Sequence, residues 1–345
     1  MKKRILIVGL FLSEKNKNNI YRTAADQLAE LLSKYDYSVV KVSTHVNKIL
    51  RFLDTFFSII FYSKKYSIGI VPLYGGTFSL FWAESTTVLL KLLGKKIILI
   101  IHGGSIPGRM KNDFKANNYL RTIKRVDVVV CPSNYIIHAL RKFNVDALLV
   151  ENVLNLSEYE YHPKEKIRPH ILWMRTFEEA YNPLMAIRVF AVLKKKYSNA
   201  KMIMAGRDNG LLESTKQLAY TINVIDSIEF PGYISNAMKN KIADDFDIYI
   251  CTNKIDNAPV SVIEMMRLGL PVISVNSGGI PYLITNNYDG LLVEADDENE
   301  MVEKIIEVIN DSNTALKLVK NGLNTCERYG EKPVLEKWKN IFEHI

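Results

Sequence analysis

Two carboxylates, Asp256 and Glu264, and a Ser277-Gly278-Gly279 triplet are crowded into the stretch from Asp256 to Gly290. The preceding segment, Phe246 to Thr252, reads as a strand, so Asp256 is expected in the loop beyond its carboxyl end. Open parallel sheets bind ligands there. Ser261 opens a helix that ends at Gly269-Leu270-Pro271, a glycine cap followed by proline, and Glu264 falls in its first turn. Ser261 and Glu264 also have the spacing of an S-x-x-E capping box, which would give the pair a purely structural role. After a strand over Pro271–Val275, the small residues 277–279 lead into a new helical start at Ile280-Pro281. Bare N–H groups at such a start attract an anion. Two further side chains stand at strand ends: Arg175 closes the strand HILWM, and His102 closes KIILII.

The elements that must position these groups alternate between strand and helix. Ile5–Leu12 is a continuous apolar run, as in a strand buried on both faces of a parallel sheet. A helix over Ile20–Lys34 and a strand over Ser38–Ser43 follow. The opening lacks G-x-G-x-x-G, since only Gly9 is present, which argues against dinucleotide binding. Val46–Tyr62 carries a broad apolar stripe at helical spacing, flanked by Lys48, Arg51, Lys64 and Lys65. Two readings stand for it: a helix docked on the sheet, or an interfacial helix resting on anionic lipid. Strands at Ile68–Tyr74 and Lys96–Gly104 enclose a helix over Leu80–Leu93. Strands at Asp127–Tyr135 and Ala147–Leu154 complete a first sheet. Glu158–Pro169, polar and proline-bearing, reads as a linker. The second half adds a helix over Ala186–Tyr197, a loop after Lys201–Gly206 bearing Arg207, a strand end at Gly232-Tyr233, and helices over Asp297–Asn310, Asn313–Tyr329 and Pro333–His344.

The chain has 345 residues and a net charge of +8. Residues 1–165 hold 24 Lys and Arg against 13 Asp and Glu, or +11; the remainder holds 21 against 24, or −3. A basic first half suits a membrane surface or an anionic substrate. Aromatic residues are not interleaved with its charges as single-stranded nucleic-acid platforms require, so no nucleic-acid partner is expected. The basic start is followed by too short an apolar run for a signal peptide, and no transmembrane segment is expected. Cys131, Cys251 and Cys326 are widely spaced and read as reduced core thiols of a cytoplasmic protein. The six histidines show no metal-ligand spacing, and no metal or cofactor is expected.

The stretch GLPVIS, GGIP and DGLLV resembles the signature of retaining nucleotide-sugar glycosyltransferases of family 4, which have the GT-B fold. The resemblance implies an α/β architecture of two Rossmann-like domains facing across a cleft: 1–163 on the acceptor side, 164–330 binding the donor, and a helix over 331–345 crossing back to the first. It implies sugar transfer, with retention, from a nucleotide-diphosphate sugar. The basic first half and the Val46–Tyr62 stripe point to a glycan or lipid-linked acceptor in cell-surface polysaccharide synthesis, and to a cytoplasmic enzyme able to work peripherally at the inner face of the membrane. Arg175 and the amides of Ser277, Gly278 and Gly279 would hold the pyrophosphate, Asp256 the sugar hydroxyls, and Glu264 the ribose hydroxyls. Ser261, Gly232 and Tyr233 would line the donor site, the last two near the base, and His102 would lie near sugar and acceptor. Three positions depart from the family pattern. Asp256 replaces a Glu, Tyr181-Asn182-Pro183 replaces a Lys-Gly pair, and the first loop lacks its Gly-Gly. Arg207 is the nearest substitute for the lost Lys. Two alternatives share the scaffold: a nucleotide-sugar epimerase, and a catalytically silent subunit that binds lipid or a partner enzyme.

Overall fold

The computed structural model describes residues 3–11, 22–112 and 114–345. The chain divides into two units, Met1–Leu154 with Arg328–Ile345, and Asn155–Glu327. The first unit begins with β1 (Arg4–Val8), α1 (Ala24–Lys34), β2 (Ser38–Val42), α2 (Lys48–Phe61), β3 (Ile68–Leu73) and α3 (Thr77–Leu92). It continues through β4 (Lys96–Ile101), α4 (Ile106–Asn112), α5 (Ala116–Arg125), β5 (Val128–Cys131), α6 (Asn134–Arg141) and β6 (Leu148–Leu149). Its parallel sheet has the order β2-β1-β3-β4-β5-β6. Apolar side chains cover both faces: Leu6, Val71 and Leu99 enter one cluster, Ile5, Ile70 and Ile98 the other. That double burial is why these strands read as unbroken apolar runs.

The element starts are set by caps. α1 begins at Ala24 because Thr23 Oγ1 accepts the Asp26 N–H at 3.1 Å while the Asp26 carboxylate accepts the Thr23 N–H at 3.0 Å, a reciprocal box that apolar periodicity does not reveal. Leu12 and Ile20, expected at the ends of the first strand and helix, lie outside the described residues. α2 forms behind the Asn47 cap, but it does not dock by its apolar stripe. Thr55 and Ile59 are its buried residues, whereas Ile49, Leu50, Leu53, Phe56, Phe57, Ile60 and Phe61 are exposed. Its inward face is narrow, with Ile59 in the cluster that holds Leu6 and Val71, and periodicity reports amphipathicity without reporting which side meets protein.

The second unit runs β7 (His170–Met174), α7 (Pro183–Lys196), β8 (Lys201–Ala205), α8 (Leu212–Thr221), β9 (Ile228–Gly232), α9 (Asn236–Asp245), β10 (Ile248–Cys251), α10 (Val260–Arg267), β11 (Val272–Val275), β12 (Leu291–Val293), α11 (Glu298–Asn310) and α12 (Ser312–Cys326). Its parallel sheet has the order β12-β11-β10-β7-β8-β9. The polar stretch after Asn155 belongs to this unit. Lys164 Nζ and Arg168 Nε reach the fully buried Asp247 carboxylate, at 2.5 and 2.7 Å. Burial would raise the Asp247 pKa, but these cations and the Arg168 N–H lower it overall. The last helix, α13 (Glu331–His344), returns to the first unit, where Val334, Leu335, Trp338, Ile341 and Phe342 join the cluster around Ile5 and Leu28. Trp338 stacks on Phe342 at 5.5 Å, one helical turn apart, as their shared face requires. The architecture is α/β with two parallel six-stranded sheets.

Candidate active site

In the second unit the chain adds β8 and β9 on one side of β7, then β10 to β12 on the other. The strand order reverses between β7 and β10, and loops leaving that point part to form a crevice at the carboxyl ends of the strands. Arg175 is the first residue beyond β7, its N–H fixed by the Ala205 carbonyl at 3.0 Å. Asp256 lies in the loop after β10. The two meet: Arg175 Nη2 donates to Asp256 Oδ2, which also accepts Asn253 Nδ2 at 2.8 Å, while Oδ1 accepts the Asn257 N–H at 2.7 Å. Arg175 Nη1 reaches Ser261 Oγ at 3.4 Å, and that oxygen accepts the Tyr249 hydroxyl at 2.9 Å. Burial would lower the Arg175 pKa, but the Asp256 charge beside it raises it overall, so the guanidinium stays charged. Its Nε and the Asn253 Oδ1 are buried without a hydrogen-bond partner among the described residues. Buried polar atoms are otherwise paired in folded proteins.

Glu264 is buried one turn into α10. Its Oε1 accepts two hydrogen bonds of 2.7 Å, from the Tyr159 hydroxyl and from Lys239 Nζ, a cation with 9% of its side chain exposed. Burial first, then the Glu264 charge, pushes the Tyr159 pKa far up, so the phenol remains a donor. The capping box between Ser261 and Glu264 is not formed. α10 begins at Val260 behind Pro259 with no side-chain cap, and both side chains turn to other partners.

The Ser277-Gly278-Gly279 turn is built against the Asp256 loop. Ser277 Oγ donates to the Asn253 carbonyl at 2.6 Å, and the Gly279 N–H to the Asp256 carbonyl at 2.8 Å. A Cβ at Gly279 would stand 1.7 Å from the Asn257 carbonyl oxygen, and Gly278 has φ +55°. Glycine is required at both by close backbone approach. The Ser277 N–H bonds the Val275 carbonyl at 3.0 Å, so of the three amides expected to face an anion one is spent on the turn itself and one, that of Gly279, on the Asp256 loop.

At the ends of β8 and β9, the Arg207 guanidinium lies 5.3 Å from the ring of the exposed Tyr233, next to Gly232 in a left-handed conformation. The Phe177 N–H bonds the Arg207 carbonyl at 2.8 Å, joining this corner to the Arg175 loop. Gly206 permits that contact, since a Cβ there would meet the Arg175 carbonyl oxygen at 1.8 Å. Arg175, Asp256, Ser261 and residues 277–279 thus form one connected neighbourhood, with Glu264 three residues along α10 from Ser261 and the Arg207, Gly232 and Tyr233 corner joined through Phe177. His102 belongs to the first unit. It follows β4, stacks on Tyr74 at 5.2 Å, and burial pushes its pKa down to about 4, so it is neutral near pH 7. With Glu151 and Trp338 it lines a pocket over the carboxyl ends of β1, β3 and β4.

Lys239, Tyr159 and Asn253 carry no sequence signal of this role. Tyr181 does: it stands where the family pattern has Lys, and the Arg175 guanidinium lies 4.0 Å from its ring centroid. The guanidinium packs on an aromatic face there.

Residues 158–325, all within the second unit, match the family model described as Glycosyl transferases group 1. The chain is 26% identical over 178 residues to the GalNAc-alpha-(1->4)-GalNAc-alpha-(1->3)-diNAcBac-PP-undecaprenol alpha-1,4-N-acetyl-D-galactosaminyltransferase of Campylobacter jejuni, covering 51% of this chain and 48% of the relative. It superposes on the sucrose-phosphate synthase of Thermosynechococcus elongatus with a TM-score of 0.81 at 14% identity, over 99% of each chain. Against the Anabaena HepE structure in complex with UDP-glucose the TM-score is 0.75 at 12% identity, over 99% of this chain and 100% of that one. The chain spans 40% to 48% of the length of the first curated relatives it matches. A parallel α/β protein with a switch-point crevice is the class that fold and loops define. Within it, residues 158–325 are similar to the glycosyl transferases of group 1, and the chain has the GT-B fold of its structural neighbours.

Proposed function

We propose that this chain is a retaining glycosyltransferase that moves a sugar from a nucleotide-diphosphate sugar to a glycan or lipid-linked acceptor. The observation that carries the reading is Arg175: a charged guanidinium at the strand-order reversal, with a buried Nε that lacks a partner among the described residues. A pyrophosphate supplies acceptors for such a fork. In the reaction the bond from the anomeric carbon to the diphosphate oxygen breaks and a bond to the acceptor oxygen forms on the same face. The acceptor proton passes to the leaving phosphate oxygen. Arg175 stabilises the charge that develops on the diphosphate, a role that needs no metal. Asp256 accepts from the sugar hydroxyls. Glu264 offers the ribose hydroxyls Oε2, since Oε1 is occupied by Tyr159 and Lys239. Arg207 and Tyr233 flank the base.

The undecaprenol-linked substrate in the name of the Campylobacter relative supports a lipid-linked acceptor, and the basic first half of the chain supports work at the inner face of the membrane. The first unit's pocket around His102 is the acceptor side of this reading. The test is nucleoside diphosphate release over a panel of nucleotide sugars, with and without lipid-linked acceptor, for the wild type and for Asp256→Ala and Glu264→Gln. Acceptor-dependent release that the variants lose at a temperature where both remain folded is the expected result. Sugar conversion without acceptor would indicate an epimerase, and no nucleotide binding a silent scaffold.

A further inference from the structure

We infer that the outward face of α2, extended by α3, is a seat for an anionic lipid bilayer. This surface belongs to the first unit, the donor site to the second, and the inference does not depend on the reaction proposed for that site.

α2 turns its smaller side inward. Thr55 and Ile59 are buried and Phe52 is half-buried, while Ile49, Leu53, Phe56, Phe57, Ile60 and Phe61 are exposed, Ile49 at 69% and Phe61 at 77%. Their spacings of three and four put them on one side of the helix. α3 carries the surface further. Phe81 stacks on Phe52 at 5.3 Å, and Phe81, Val88 and Leu92, seven and then four residues apart, are exposed on one face. Soluble proteins rarely leave so much contiguous apolar side chain in water without a partner for it.

Charge decides which partner. Residues 46–65 contain four basic residues, Lys48, Arg51, Lys64 and Lys65, against one acid, Asp54, for a net +3 (4 − 1). Lys48 precedes the apolar face, and Lys64 and Lys65 follow it, all three exposed. Asp54 is turned to the Ser58 hydroxyl at 3.2 Å. A helix lying in a membrane interface has this form, with its apolar side among the acyl chains and its cations at headgroup level. A second copy of the chain would bring like charges together around the same patch. A span is ruled out for α2, because no helix among the described residues is long and apolar enough to cross a membrane.

Flotation with vesicles tests the inference. The wild type should float with phosphatidylcholine vesicles containing about one third phosphatidylglycerol, and at least about tenfold less with phosphatidylcholine alone, because the leaflet's negative potential recruits the cations. Phe57→Asp with Phe61→Asp should lower flotation about tenfold or more at an unchanged melting temperature, since both side chains are exposed. Lys64→Glu with Lys65→Glu should remove the preference for phosphatidylglycerol. Wild-type protein that stays with neither vesicle, or aromatic variants that float undiminished, would overturn the proposal. So would a dimer in sedimentation that the aromatic variants dissolve while vesicle binding is absent. Flotation together with failed nucleotide binding would leave this surface standing and remove the donor-site reading instead.

Discussion

Replacing Lys239 by Met probes how Glu264 is held. Each side chain of the pair is 9% exposed, and the Nζ to Oε1 distance is 2.7 Å. Removing one partner of a buried ion pair costs about 3–5 kcal/mol, because the remaining charge is left without its counter-ion. The Tyr159 hydroxyl still donates to the same oxygen and keeps back about 1 kcal/mol of that. Lys239→Met should therefore destabilise the second unit by about 2–4 kcal/mol. Glu264→Gln strands Lys239 with Asn236 Oδ1 at 3.0 Å and should cost a similar amount. The double variant buries neither charge, so its loss should be well below the sum. A double-mutant cycle in urea, followed by a probe in the second unit, measures the coupling, expected at about 2 kcal/mol or more. Losses that add to within about 0.5 kcal/mol would refute the coupled pair. Because Lys239 also orients the proposed ribose acceptor, Lys239→Met should raise the KM for donor more than it lowers kcat. A purely structural lysine would not produce that split.

Stability should fall with acid through His102. Burial holds its pKa at about 4 in the folded chain against the ordinary 6.5, so below 6.5 the unfolded state takes up the proton first. The contribution is complete above pH 6.5 and is lost as pH falls toward 4; His102→Asn should remove this limb from a denaturation series between those values, and an unchanged limb would count against it. Gly279→Ala must displace the Asn257 carbonyl, 1.7 Å from the new Cβ, and should cost more than about 2 kcal/mol along with nucleotide binding. Gly76→Ala enters open space at the start of α3 and should stay within about 0.5 kcal/mol in the same melts.

The Asp256 to Gly290 stretch was legible in the sequence for a physical reason. Its turn brings backbone against backbone, which only glycine at 278 and 279 permits, and its carboxylate stands at a strand end. Strands buried on both faces were equally plain, because nothing polar interrupts them. Lys239 was hidden, since within NAMKNKI it looks like any solvated lysine, and only the fold brings it to Glu264, 25 residues away. Tyr159 lies 105 residues from its carboxylate partner, in a stretch that reads as linker. The capping box at Ser261 shows the reverse error: local spacing suggested a bond that Tyr249 and Arg175 take over in three dimensions. In α2 the periodicity was legible and its direction was not, because the apolar side of an amphipathic helix can meet protein or solvent with the same pattern.

The account rests on Arg175 as the anchor of a nucleotide diphosphate, and calorimetric titration of nucleoside diphosphates into the intact chain tests it most directly. One member of the panel should bind the wild type, and Arg175→Met should weaken that binding at least about tenfold, or about 1.4 kcal/mol, without unfolding the second unit. Equal binding to wild type and Arg175→Met, or no binding by any nucleoside diphosphate, would contradict the account.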